Sequence, residues 1–417
     1  IDHQMNMQIS NEFGQYFARL PLKKSAKIVH GNALEVNWEE VVSKNDLSYI
    51  IGNPPFIGSR IMNKQQKEDL TNVFSNSKNV GELDYVTGWY LNAAKYIQNT
   101  RIKVAFVSTN SIVQGLQTAI LWGLMINKYN VIIHFAHKTF KWSNEAKGNA
   151  AVYCVIVGFG NFEPNNKSIF EYEDIKGEAH EIKAKNINPY LVDGKNIFVE
   201  KKSNPICNVP KMNFGNMPAD GGEFLFTTDE KNIFIEKEPN SKKYFRKILG
   251  SQELINNIER WCLWLEDIEP NELKNLKLVL ERVQNVKRIR EISSRPQLAS
   301  IPHLFAQITQ PKGLDFIIIP SVSSERRKYI PIGFENSNVV ASNLCLIIPN
   351  GNLYHFGVLN SIMHMAWVKT TCGRLKSDFR YSKDIVYNNY PWPENPSEKQ
   401  IKNIEEKAQN VLDVRAS

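Results

Sequence analysis

The chain has 417 residues, 42% hydrophobic, 23% charged and 11% aromatic, a globular composition that excludes a wholly disordered, collagenous or coiled-coil protein. At roughly 100–200 residues per domain this length corresponds to two or three domains, so a single small binding module is excluded as well. Fifty-one Lys and Arg against 43 Asp and Glu leave a net charge of +8, which permits a polyanionic partner without demanding one.

Position 1 is Ile and Met5–Phe17 already has helical periodicity, so the chain is expected to begin inside a longer polypeptide. From Lys27 to Gly160 short apolar runs alternate with amphipathic segments, the pattern of an α/β domain built on a mainly parallel sheet. Strands are predicted at Lys27–His30, Leu47–Ile51, Ile102–Ser108, Val131–His137 and Ala150–Phe159. Leu83, Val86, Tyr90, Ala94 and Ile97 recur at steps of three and four and predict a helix. The last two strands are only about a dozen residues apart, which predicts an antiparallel pair at the end of the sheet. Asn161–Lys167 is polar, contains Pro164 and reads as a linker. Short strand-like runs rich in Pro, Gly and Asn follow to about Asn240. Next comes a basic amphipathic helix with Leu273, Leu276, Leu280, Val283, Val286 and Ile289 as its stripe. Strand-like runs return at Phe316–Ile319 and Val339–Ile348. A helix from Leu353 to Thr371 is expected to be capped by Gly373, and a last helix opens at a Ser397–Gln400 capping box.

The longest apolar runs, Leu314–Pro320 and Leu344–Pro349, fall far short of the roughly 18–20 residues that span a bilayer. Five scattered cysteines without a C-x-x-C pair indicate neither a disulfide framework nor a zinc site, and a reducing cytoplasm is the expected location. No metal is expected at His134-x-x-His137 either, because this spacing on a strand sends the two rings to opposite faces. Trp261, Trp264 and Trp367 read as core. Between Leu280 and Lys328 nine basic residues face four acidic ones, a candidate electrostatic footprint for nucleic acid.

The sharpest signal is Gly52-Asn53-Pro54-Pro55-Phe56, directly after a predicted strand. At average residue usage an Asn-Pro-Pro-aromatic tetrapeptide arises by chance in about one chain of this length in two hundred. Two prolines fix φ twice and remove two donors, leaving carbonyls exposed on a rigid turn at the carboxyl end of a sheet. Asn53 offers a side-chain oxygen, the Asn-Pro backbone a second acceptor, and Phe56 a ring that can stack on a flat heterocycle. An exocyclic amine held by two such acceptors has its lone pair free to attack an electrophilic methyl group.

This segment resembles the catalytic motif of amino-methylating DNA methyltransferases. The resemblance extends through His30-Gly31-Asn32-Ala33-Leu34, Gly81-Glu82-Leu83-Asp84-Tyr85-Val86, Phe106–Ile112 and His134–Trp142. It continues through Ser323-Ser324-Glu325-Arg326-Arg327, Gly373–Ser382 and Tyr390-Pro391-Trp392-Pro393. Over essentially the whole chain these motifs are similar to the combined restriction-modification proteins of the MmeI-like class, type IIG/IIL.

The resemblance implies a partial class I, Rossmann-like sheet that uses S-adenosylmethionine (residues 1–162), an α+β target-recognition domain (163–395) and a C-terminal helix (396–417). It implies transfer of a methyl group to N6 of an adenine flipped out of double-stranded DNA, with Asn53, Pro54, Pro55 and Phe56 as the catalytic turn. Asn32, Asp84 and Tyr85 would lie on the cofactor side. Asn32 stands where many relatives carry an acidic residue near the adenine ring of S-adenosylmethionine, a departure from the family pattern. Phe140 or Trp142, on the loop before the last strand, would stack on the extruded base. Arg326, Arg327, Arg374, Lys376 and Arg380 are candidates for facing DNA, the competing expectation being internal ion pairs with Glu325 and Asp378.

The glycine-rich cofactor loop of these proteins, of Asp-Pro-x-Cys-Gly-Ser-Gly type, has no counterpart before Lys27, nor has their nuclease signature. The chain is therefore expected to be the later half of the methyltransferase domain plus the recognition domain, and to bind S-adenosylmethionine weakly or not at all by itself. The strand at Leu47–Ile51 is expected to be an unpaired apolar edge open to self-association. Two other readings compete. One is a DNA-recognition fragment without catalysis. The other is an Asn-Pro-Pro-aromatic enzyme acting on RNA or protein glutamine, disfavoured by the roughly 230 residues after the methyltransferase part.

Overall fold

The structure, a computed structural model, describes residues 7, 8, 10–12, 14, 26–75, 77–142, 152–172 and 177–416. The first half is a layered α/β unit in which β1 (Tyr49–Gly52) leads through helix α1 (Lys64–Val73) and helix α2 (Thr87–Tyr96) to β2 (Lys103–Thr109). Helix α3 (Gly115–Tyr129), β3 (Ile132–Trp142), β4 (Val152–Gly160), β5 (Lys167–Tyr172) and β6 (Ala179–Ala184) follow. The six strands form one sheet in the order β1-β2-β4-β3-β5-β6. β1 runs parallel to β2, and β4 is antiparallel to both β2 and β3. Strands β1, β2 and β3 therefore point the same way and end on one edge of the sheet. Alternate residues of β2 (Val104, Phe106, Ser108) are buried against the stripe of α2. There the fully buried Tyr90 places its hydroxyl 2.9 Å from the Ser108 hydroxyl.

Several expectations are corrected. The sheet is mixed and not mainly parallel: β1–β2 and β3–β5 are parallel, but β2–β4, β3–β4 and β5–β6 are antiparallel, because β4 inserts between β2 and β3. Lys27–His30 is no strand but exposed coil, with Ile28 87% exposed. Apolar residues alone do not make a strand; a neighbour must satisfy the backbone groups, and β1 pairs only with β2 among the described residues. Tyr49 and Ile51 are accordingly exposed. The β3–β4 pair is antiparallel as predicted but lies inside the sheet, because β5 and β6 extend it past the polar stretch 161–167. The helix predicted from Leu83 begins only at Thr87, since 83–86 is a tight turn with Leu83 and Val86 still buried. Most of Met5–Phe17, and Ala150, lie outside the described residues.

In the second half, β7 (Asn213–Phe214), β8 (Leu225–Phe226), β9 (Phe245–Leu249) and β10 (Trp261–Leu263) precede helix α4 (Lys277–Glu291). Then come β11 (Phe316–Pro320), β12 (Val322–Ser323), β13 (Gly333–Glu335), β14 (Val340–Ala341) and β15 (Cys345–Pro349). Helices α5 (Leu353–Leu359) and α6 (Ile362–Thr371), the hairpin β16 (Gly373–Leu375)–β17 (Asp378–Arg380) and helix α7 (Glu398–Ala416) complete it. The strands form three sheets, β14-β9-β10-β8, β13-β11-β15-β7 and β12-β17-β16. β11 is buried on both faces, Ile317 and Ile319 in one core and Phe316 and Ile318 in another, which explains its unbroken apolar run.

Here the expected long helix breaks at Asn360–Ser361, where the Ser361 hydroxyl accepts from the His364 amide and starts α6. Gly373 is the first residue of β16 and not a cap. Leu273 belongs to a separate short helix, Pro270–Asn275, and Leu276 joins it to α4, and Val339–Ile348 is divided between β14 and β15. The Ser397–Gln400 capping box is formed, and α7 packs so closely that a Cβ on Gly357 would come within 2.6 Å of Ile404.

Candidate active site and nucleic-acid interface

Gly52 closes β1 over the Phe106 ring, where a Cβ would meet ring carbons at 3.3 Å. The next residues, Asn53-Pro54-Pro55-Phe56, leave the sheet at its carboxyl edge. Pro54 is buried, Phe56 half-buried, and Asn53 and Pro55 exposed. The Ile57 amide donates to the Pro55 carbonyl at 3.2 Å. Among the described residues neither the Asn53 side chain nor the Pro54 carbonyl has a hydrogen-bond partner. A cavity of about 620 Å³ opens beside this turn, walled by Asn53, Pro54 and Pro55, by Gly31 and Ala33, and by Trp89. Small-molecule sites occupy about 300–1,000 Å³.

Asn32, between the cavity-lining Gly31 and Ala33, turns inward. Its Oδ1 accepts from the Leu34 amide at 3.1 Å and its Nδ2 donates to Asp69 at 3.1 Å. The Tyr85 hydroxyl donates to the same Asp69 oxygen at 2.6 Å, and Gln65 to the other at 3.0 Å. Burial of Asp69 alone would raise its pKa, but these hydrogen bonds outweigh it and hold the carboxyl below its ordinary value. Burial, followed by the hydrogen bond to Asp69 and that residue's charge, pushes the Tyr85 phenol above its ordinary value. Asp69 is thus a buried carboxylate without an ion-pair partner among the described residues, one side chain from the cavity. Asp69 does not itself line the cavity, whose remaining walls are largely apolar side chains such as Trp38, Ile50 and Tyr96. Asp84 is also buried, and both of its oxygens accept from protein groups, the Ser59 amide at 2.9 Å and the Ser111 hydroxyl at 2.5 Å.

Phe140 and Trp142 lie on β3 itself and not on a loop, since the strand continues past a bulge between His137 and Phe140. They share one face at the same sheet edge as Asn53. Phe140 is half-buried, 5.6 Å from the Tyr172 ring, and Trp142 is 39% exposed. His134 contacts the Phe162 carbonyl at 2.9 Å, and His137 contacts the Tyr172 hydroxyl at 2.8 Å and stacks on Phe170. Trp261 and Trp264 pack in one core and Trp367 against another.

The arginine candidates separate. Arg326 and Arg327 are exposed on the loop after β12, and the exposed Lys376 turns the β16–β17 hairpin with φ +58°. The Glu325 amide lies 3.4 Å from an Asp378 oxygen, tying loop to hairpin at this end of the sheet. Arg380, also exposed, sits at the other end, opposite Val322 and Gly373. Arg374 is engaged internally. Its guanidinium lies 3.8 Å over the Phe379 ring and donates to the Ser377 and Lys369 carbonyls, and burial lowers its pKa. None of these residues forms an ion pair with Glu325 or Asp378 among the described residues.

The basic footprint also contracts. Arg290 is 1% exposed and donates to the carbonyls of Pro218, Ala219, Leu298, Ile301 and Leu304. Arg282 pairs with Glu223 at 3.0 Å and Lys312 with Glu266 at 2.9 Å. The two halves meet where a Cβ on Gly115, at φ +61°, would come within 3.2 Å of the Gly373 backbone.

Asp69, which holds Asn32 and Tyr85, and Ser111 and Gln117, which hold the Asp84 carboxylate and amide, are partners that the motif reading does not single out. The signal for Asp69 is a charged residue beside Leu70 on the inward face of an otherwise polar helix.

Two family models match: MmeI, DNA-methyltransferase domain, over residues 1–171, and MmeI, target recognition domain, over residues 193–394. The chain is 42% identical over 421 residues to DNA methyltransferase A of Bacillus subtilis (strain 168), a match covering 99% of this chain and 47% of the relative. It also matches the solved structure of the type IIL restriction-modification enzyme MmeI in complex with DNA. That match has a TM-score of 0.91 and 49% identity, and covers 100% of this chain and 56% of the other. The chain thus spans about half the length of the proteins it matches.

Proposed function

The chain belongs to the MmeI-like family of restriction-modification proteins, and on that premise we propose that it is the methylating and DNA-reading part of a bacterial, cytoplasmic type II enzyme. The reaction is transfer of a methyl group from S-adenosylmethionine to N6 of an adenine in double-stranded DNA. The observation that carries this reading is a pair of acceptors without partners among the described residues, the Asn53 side-chain oxygen and the Pro54 carbonyl, on a rigid turn beside a cavity of about 620 Å³. Because a paired base cannot reach such a turn, the adenine leaves the duplex. Its amine then donates one proton to each acceptor, which leaves the nitrogen lone pair free for attack. Phe56 stacks on the base, and Phe140 or Trp142 covers its other face.

The cofactor, when bound, supplies the electrophilic methyl group. Gly31 and Ala33 would wall it, with Asn32 and Tyr85 acting from behind that wall through the Asp69 carboxylate, whereas Asp84, expected on the cofactor side, is engaged by Ser59 and Ser111 instead. Arg326, Arg327, Lys376 and Arg380 face DNA, and Arg374 supports the hairpin that presents Lys376. We place the boundary between the two units after β6 rather than at residue 162, because the sheet continues to Ala184.

With no strand beyond β1 among the described residues, this chain alone is expected to bind S-adenosylmethionine weakly and to self-associate through the β1 edge. Micromolar binding by calorimetry, or a monomer in sedimentation at high concentration, would contradict these two points respectively. The reaction itself is tested by mapping modified bases in DNA treated with the intact protein and S-adenosylmethionine. N6-methyladenine at one defined site is expected. Methylation on cytosine overturns the reading, and DNA binding without any methylation favours recognition without catalysis.

A further inference from the structure

We infer that Ser111 is a positioning residue that holds the Asn53–Phe56 turn in register through Asp84, an inference that rests on the methyltransferase reading above. Every polar atom of Asp84 has a protein partner. Its amide donates to Gln117 Oε1 at 2.9 Å, its carbonyl accepts from the Thr87 hydroxyl at 2.7 Å, and its carboxylate takes the Ser59 amide and the Ser111 hydroxyl. The adjacent Tyr85 amide donates to the Ile57 carbonyl at 2.9 Å. Residues 57 and 59, which directly follow Phe56, are thereby joined to residues 85 and 84.

Ser111 fixes that junction to the sheet. It stands just past the end of β2, and its hydroxyl lies 2.8 Å from the Thr109 hydroxyl as well as 2.5 Å from Asp84. A serine hydroxyl has one proton, and the Asp84 carboxylate can only accept. The Ser111 proton therefore goes to Asp84, and Thr109 donates to Ser111. The result is a directed chain, Thr109 to Ser111 to Asp84, ending on the segment that leaves the catalytic turn. Four residues beyond Ser111, Gly115 abuts Gly373 at the start of the hairpin carrying Lys376. The same β2–α3 connection thus reaches the segment after the catalytic turn, through Asp84, and abuts the start of the hairpin that carries Lys376. An amine attacking a methyl carbon tolerates little displacement of its acceptors, so the hydroxyl acts on the rate of transfer and not on binding of either reactant.

The test is Ser111→Ala in the intact protein, read by single-turnover methyl transfer, KM for S-adenosylmethionine and Kd for specific DNA. The transfer rate is expected to fall about tenfold, with KM and Kd within about twofold of wild type, and Ser111→Thr, which keeps the hydroxyl, to recover most of the loss. An unchanged rate overturns the inference. So does a loss confined to KM, which would make Asp84 a cofactor contact, or an equal loss in both variants with a lowered Tm, which would make Ser111 merely structural. Asn53→Ala run alongside separates the two levels. If it retains its rate, the amine-methylating reading fails; if it is inactive while Ser111→Ala is unaffected, only the positioning role falls.

Discussion

Asn53 to Phe56 are four consecutive residues behind one strand, whereas the groups proposed to face DNA come from a loop and a hairpin whose joining contact, Glu325 to Asp378, spans 53 positions. The backbone shape of the proposed catalytic turn is imposed by its own prolines, and long-range contacts such as Ser59 to Asp84 enter only in the segment that follows it. The surface proposed to face DNA is assembled from segments far apart in sequence. Arg374 and Arg290 are as basic in sequence as Arg326 and Arg327, yet one lies over Phe379 and the other is enclosed by five carbonyl oxygens. Charge in a sequence names candidates for an interface, and packing selects among them.

The comparison breaks first at Asn53. In the intact protein Asn53→Ala is expected to abolish methyl transfer while leaving DNA affinity nearly unchanged, since the acceptor is needed only for attack. A variant keeping more than about a tenth of the rate, a loss below about 1.4 kcal/mol of barrier, would remove the turn from catalysis.

The next largest effect is structural. Arg290→Ala leaves five carbonyls of the second half without their donor and should lower its stability by about 3 kcal/mol or more. Chemical denaturation checks this, and a variant of wild-type stability whose DNA affinity falls instead would return Arg290 to the interface.

Burial of histidines gives a pH dependence, largest at His364 in the second half. Burial pulls the His364 imidazole, beneath Tyr381, from 6.5 down to about 3. Between those values the unfolded chain binds a proton that the folded chain refuses, so this group makes stability rise with pH from about 3 to 6.5 and level off above. The denaturation midpoint measured against pH should show that slope, and His364→Phe should flatten it.

The smallest effect concerns the exposed pair. Replacing Arg326 and Arg327 together by Ala should weaken specific DNA binding at least tenfold in moderate salt, about 1.4 kcal/mol. Unchanged affinity would show that exposure alone does not make an arginine a DNA contact.

The α/β alternation, the β2, β3 and β4 strands, the Asn-Pro-Pro-Phe turn and the Ser397 capping box were all readable along the chain, because strand period, proline geometry and caps act within a few residues. Other features were not. Lys27–His30 is as apolar as a strand yet is exposed coil, β3 and β4 pair as expected but inside a sheet that goes on to Ala184, and Asn32 faces Asp69 instead of the cavity. Each of these depends on what lies opposite in space: a neighbouring ladder of backbone groups for a strand, a buried carboxylate for an amide, a ring of carbonyls for a guanidinium. Such partners come from 37 positions away for Asn32 and up to 72 for Arg290. No local pattern encodes them, and only the folded chain brings them within hydrogen-bonding distance.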